Sequence, residues 1–102
     1  MAEPEIRFVR KLSGEEAQKR YILISKESLS LFPKTGLSFS LMIEGQTVET
    51  AVRPHEVRQP GSRKGVIEHR IDLAKHLTVY NPRYGQTVVI EKRDDHYLLS
   101  LS

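Results

Sequence analysis

Cysteine is absent from this 102-residue chain, and so is tryptophan. Without cysteine there are no disulfides, no thiolate nucleophile and no cysteine-ligated zinc or iron–sulfur site. Aliphatic runs are short, as in Ile22-Leu23-Ile24 and Val88-Val89-Ile90. None can span a bilayer as a helix, so no membrane partner is expected. The first ten residues hold Glu3 and Glu5 and no apolar stretch, unlike a secretory signal. A cytoplasmic (nucleoid) or nuclear location is the expectation, not secretion. Aromatics are few, three Phe and four Tyr. Most fall in phase with apolar neighbours and read as core, with Tyr84 the exception. A stacking platform for single strands is therefore not supported.

Catalytic signatures are missing as well. No serine sits in a G-x-S-x-G setting, and Gly61 and Gly65 lack the G-K-[ST] ending of a phosphate loop. Asp72 and His76 stand four apart, as helical metal ligands can, but a helix cap and a surface histidine explain them better. The chain is read as a non-enzyme, with no catalytic residue, no metal and no cofactor. Any enzyme involved would be a partner subunit or a larger protein.

What the chain does have is unevenly placed charge. Lys and Arg total 16 against 13 Asp and Glu, a net charge of +3. Residues 53–70 hold five basic side chains (Arg53, Arg58, Arg63, Lys64, Arg70) and two acidic ones (Glu56, Glu68). That excess equals the charge of the whole protein, so the rest is balanced. A basic segment on a neutral body is the footprint of a polyanion binder.

Period-two alternation dominates the remainder and predicts strands at about 5–12, 21–24, 37–43, 46–53, 66–71, 87–91 and 96–101. Glu44-Gly45 and 92–95 read as hairpin turns. Residues 25–32 and 72–77 each start at a capping-type residue and stop before proline, which predicts one or two helical turns apiece. Pro33-Lys34-Thr35-Gly36 and Pro82-Arg83-Tyr84-Gly85 share a pattern at an offset of 49 residues. The same offset superposes Ile22 on Ile71, Phe39 on Val88 and Leu41 on Ile90 without a gap. The chain thus reads as one domain, 1–102, with pseudo-repeats at about 20–52 and 69–101. Each is preceded by a basic arm, 10–20 and 53–70. The first arm surrounds an expected turn at Ser13-Gly14-Glu15-Glu16. Pro54, Pro60, Gly61 and Gly65 interrupt regular structure in the second. A pseudo-two-fold relation puts both arms on one side, a geometry suited to duplex DNA.

This order of strand, arm, strand, I-S-K-E helix, P-x-x-G turn and hairpin, then arm, strand, L-A-K helix, P-x-x-G turn and hairpin, resembles the DNA-binding pseudobarrel family. That family includes the plant B-three domain and restriction-endonuclease target-recognition domains. The segment Tyr84-Gly85-Gln86-Thr87-Val88 looks like the family's Gly-Asp-x-Val strand, with Gln86 in place of Asp. The resemblance implies a mostly β, open pseudobarrel of about seven strands capped by two short helices. It also implies two arms that grip the major groove of double-stranded DNA. Arg10, Lys11, Lys19, Arg20, Arg53, Lys64 and Arg70 are then candidates to neutralise phosphates. Ser13, Gln18, His55, Arg58, Gln59 and Arg63 are candidates to reach base edges, with Arg suited to guanine and Gln to adenine. Ser62 and His69 complete the DNA-binding set. Two other readings carry weight: a protein-interaction or substrate-recognition β-barrel, and a fused pair of AbrB- or MazE-like DNA-binding units.

Overall fold

Alternation places Phe39, Leu41 and Ile43 on the inner side of one strand, all buried, while Ser40 and Met42 are only half-buried. The same alternation recurs through the larger sheet of the computed structural model, which describes residues 7–57, 61, 65–76 and 78–102. The strands are β1 (Arg7–Lys11), β2 (Tyr21–Ile24), β3 (Phe39–Ile43), β4 (Gln46–Thr50), β5 (Val52–Val57), β6 (Val66–Asp72), β7 (Thr87–Lys92) and β8 (Tyr97–Leu101). They form a five-stranded sheet in the order β1-β7-β8-β3-β4 and a three-stranded sheet in the order β2-β6-β5. All pairings are antiparallel except β3 with β8. One apolar core, with Ile22, Leu41, Val52, Ile71, Val88 and Ile90 at its centre, is shared by both sheets.

Among the described residues there are eight strands where seven were expected. The expected strand over 46–53 breaks at Ala51, which is buried, and the chain passes there from the larger sheet to the smaller. The Glu44-Gly45 turn joins β3 to β4 with both residues at positive φ, 50° and 80°. That is the backbone twist a two-residue hairpin favours.

Among the described residues two short helices occur, but only one lies where the sequence indicated. A 3-10 helix spans Lys26–Leu31 and ends before Pro33. It brings Leu29, Leu31 and Phe32 to the core, where the Phe32 ring stacks on Tyr97 at 5.5 Å and meets Phe8 edge-on at 5.7 Å. The other helix, α1 (Gly14–Lys19), occupies the expected turn of the first arm. Its signal was present in the sequence. Ser13 and Glu16 form a reciprocal capping box, with the Ser13 hydroxyl accepting from the Glu16 N–H and the Glu16 carboxylate accepting from the Ser13 N–H.

Over 72–77 the described residues carry turns instead of the expected helix. Asp72 is committed to β6, opposite Tyr21, and its carboxylate accepts from the Ala74 N–H at 2.9 Å. An aspartate bonded two residues ahead favours a turn over a helix start. The two P-x-x-G segments share their local geometry. Gly36 and Gly85 lie at φ 90° and 85°. Leu37 N–H donates to the Lys34 carbonyl and Gln86 N–H to the Arg83 carbonyl. Positive φ is open to glycine at little cost, which is why both turns end on it.

Candidate nucleic-acid interface

The strand register sorts the three-stranded sheet into two faces. Directly opposed residues share a face. Ile22, Ile71 and Val52 are in register and face the core. Tyr21 with Asp72, Leu23 with Arg70 and Arg53, and His55 with Glu68 share the outer face. Helix α1 ends against this outer face. Together they make a groove of about 300 Å³ lined by Lys19, Tyr21, Arg53, Pro54, His55, Arg70, Asp72 and Ala74.

Arg70 is the best-held cation in it. Its guanidinium lies 4.0 Å from the centroid of the Tyr21 ring. Its Nη2 and Nε donate to Glu68 Oε1 at 2.8 and 3.3 Å. Stacking and hydrogen bonding together fix the plane of the fork before any ligand arrives. The Tyr21 hydroxyl donates to Glu15 Oε2 at 2.5 Å, and Lys19 Nζ donates to Glu15 Oε1 at 3.2 Å. Burial, reinforced by the bond to Glu15, pushes the Tyr21 hydroxyl up to about 12. The same hydrogen bond from Tyr21, followed by Lys19, holds the Glu15 carboxyl below its usual range.

The first arm is organised around one residue that charge counting passes over. Glu16 is the one buried charged side chain among the described residues. Its carboxylate accepts from Arg10 Nη2 at 2.7 Å and Nε at 2.9 Å, and from the backbone N–H of Leu23 at 3.0 Å and of Ser13 at 3.2 Å. It thereby ties β1, α1 and β2 together. Burial pushes this carboxyl up, but the bonds from Arg10, Leu23 and Ser13 outweigh it and hold the pKa below the usual range.

The sequence-derived candidates therefore separate. Lys19, Arg53, His55 and Arg70 converge on the groove. Arg10 is held by Glu16, and the Ser13 hydroxyl is engaged as a helix cap. Arg20 caps α1 at a left-handed φ of 58°, and its Nε is buried with no hydrogen-bond partner. Lys11 and Gln18 are exposed outside the groove lining. His69 pairs with Ile24 and Pro54 on the opposite face from Arg70. Arg58, Gln59, Ser62, Arg63 and Lys64 lie outside the described residues. Tyr21, Pro54, Asp72 and Ala74 line the groove and were not anticipated. The placement of Tyr21 and Asp72 follows from the register of β2 and β6, which no local sequence signal announces.

No family model matches the chain, and no curated protein matches it. A solved structure does. It is an Arabidopsis FUS3–DNA complex, and it matches with a TM-score of 0.62, over 92% of this chain and 93% of that one, at 10% sequence identity. The fold is the B3-type pseudobarrel. At that identity it is the path of the chain that is shared, since side chains differ at most positions. The pseudobarrel here is mostly β, with neither sheet closed on itself, as the resemblance implied.

Proposed function

We propose that this pseudobarrel is a non-catalytic module that binds double-stranded DNA in the major groove, using both basic arms. The observation that carries the reading is the convergence on one groove of Lys19 from the first arm with Arg53, His55 and Arg70 from the second. Cations drawn from separated parts of a chain onto one concave surface, on a chain of net charge +3, suit a polyanion. The matched FUS3 structure is a complex with DNA, which agrees with this ligand class. Arg58, Arg63 and Lys64 add phosphate contacts in this reading, and Gln59 and Ser62 lie between them in sequence. Lys11 and Gln18 extend the contact on the side of α1. Glu15 and Glu68 orient Lys19 and Arg70, and together with Asp72 they discourage binding by charge alone, which favours sequence-dependent contacts over uniform ones. The proposal takes the chain as one domain whose halves, 20–52 and 69–101, are related repeats.

A fluorescence anisotropy titration with random duplex DNA across a salt series tests the function. Neutralising about five phosphates makes log K fall with log salt at a slope of about −4 to −5. Absence of binding at low salt, or a slope near zero, overturns the DNA reading in favour of a protein-interaction barrel.

A further inference from the structure

Three of the edge strands of the two sheets are guarded. In the smaller sheet, β5 carries Pro54 between Arg53 and His55, and the Leu23 N–H of β2 is taken by the Glu16 carboxylate. In the larger sheet, β1 carries three cations, Arg7, Arg10 and Lys11. Proline, lysine and a covering element are the usual means of keeping other strands off a sheet edge. The remaining edge, β4, reads Gln46-Thr47-Val48-Glu49-Thr50, with neither proline nor lysine. It pairs with β3 in unbroken register from Ile43–Gln46 to Phe39–Thr50. Glu44 and Gly45, both at positive φ, make this a two-residue hairpin, whose closing pair Ile43 and Gln46 exchanges both backbone bonds. Bonding then alternates, so the N–H and C=O groups of Thr47 and Glu49 point away from β3 along the free edge.

Charge selects what can pair there. Between Lys34 and Arg53 the chain has no Lys, Arg, Asp or His, and its charged residues are Glu44 and Glu49. Both are exposed, and among the described residues neither makes an ion pair. Such a hairpin repels a second β4 edge and attracts a basic strand. Thr47 and Glu49 project to the outer face of the sheet, whereas Val48 faces inward and is half-buried against the core. A strand laid beside β4 therefore meets a carboxylate on one face and an aliphatic side chain on the other. We infer that β4 is a docking edge for an extended segment of another protein in which Lys or Arg alternates with apolar residues. Thr47 and Glu49 supply the backbone bonds, and Glu44 and Glu49 select the cations. None of these residues lines the cationic groove, so the edge is separate from the surface proposed for DNA.

Fluorescence anisotropy with a labelled, alternating lysine–valine peptide tests the docking edge, beside a glutamate–valine peptide of equal length. The wild-type chain is expected to bind the first and not the second, more weakly as salt rises. Thr47→Pro removes an N–H that faces solvent and spares the bonds to β3. It is expected to abolish binding while the thermal midpoint stays near that of wild type. Glu49→Gln keeps the strand and removes the charge, and is expected to weaken binding about threefold, the worth of one exposed ion pair. Absence of lysine–valine binding at low salt overturns the inference, as does binding that survives Thr47→Pro or equal affinity for the two peptides. Should Thr47→Pro fail to fold, wild-type affinity in Glu49→Gln overturns it as well. Self-association of the wild-type chain in sedimentation equilibrium, lost in Thr47→Pro, overturns it in favour of a second copy on the edge. None of these outcomes bears on the DNA-binding function, which the salt series with duplex DNA tests on its own.

Discussion

Between β1 and β2 the chain carries a buried carboxylate that receives bonds from two strands and a helix, whereas the β5–β6 hairpin buries only Val52 and Ile71 among its described residues. Both segments are basic in sequence. In the first, a cation is consumed internally by the Arg10–Glu16 pair, and a second is partnered by the Lys19–Glu15 contact. In the second, Arg53 and His55 stand exposed on the groove face. One arm is fixed through its own ion pairs, and the other leaves Arg53 and His55 exposed while Arg70 is held by Glu68.

The comparison is broken most directly at Glu16. Glu16→Ala is expected to lower stability by about 3 kcal/mol, because it leaves a guanidinium and two backbone N–H groups without their acceptor. That is the low end of the usual range, since Arg10 keeps 32% of its side-chain surface in water. Urea unfolding measures it, and a loss under about 1 kcal/mol would mean the first arm is no more embedded than the second. The pH dependence has a definite sign. The carboxyl pKa is depressed in the folded state. Its contribution is therefore complete above the unfolded value, roughly 4.3, and drains away as pH falls through the folded value. Glu16→Gln is expected to flatten the acid limb of stability against pH in that window.

Tyr21→Phe has a smaller expected effect. It removes the bond to Glu15 and keeps the ring beneath Arg70, for a loss of about 1 kcal/mol in thermal or chemical unfolding. In the second arm, the triple change of Arg58, Arg63 and Lys64 to Ala is expected to alter stability by less than about 0.5 kcal/mol. The same variant flattens the salt slope of DNA binding by about three, near one unit for each phosphate left without its cation. Smallest of all is the change of Lys92 and Arg93 to Ala. These flank the β7–β8 turn, where Arg93 makes only a partly exposed 3.7 Å contact with Glu91. Neither stability nor salt slope should move measurably. A larger loss of binding here than in the triple variant would put the DNA surface elsewhere.

Strands and hairpins were legible because burial on one face imposes alternation, as Phe39, Leu41 and Ile43 illustrate. Helix α1 was written in the sequence as Ser13-x-x-Glu16 and was masked by reading the same residues as a charged turn. The turns over 72–76 were misread as a helix because Asp72 offers the same carboxylate to a cap or to an aspartate turn. Strand pairing with Tyr21 decided between them. Of the groove, the cations were legible from composition. Their shared face was not, since it depends on which strand lies beside which. Nor was the burial of Glu16, because a carboxylate in an exposed-looking run gives no hint of four converging donors.

The pairing of β1 with β7 bears on how the molecule is made. Phe8 lies opposite Ile90, and Leu41 lies beside Tyr97 in the parallel pair. The larger sheet therefore joins the earliest described strand to the latest hairpin, and its central contacts close loops spanning most of the chain. Such topologies pay their loop entropy before the rewarding contacts form, and they fold in milliseconds to seconds. On a ribosome, β1 must wait without its neighbour until β7 and β8 have emerged. During that interval its exposed edge and Val9 are open to pairing with other chains. Slow closure of the larger sheet thus leaves an edge strand uncovered while the chain folds.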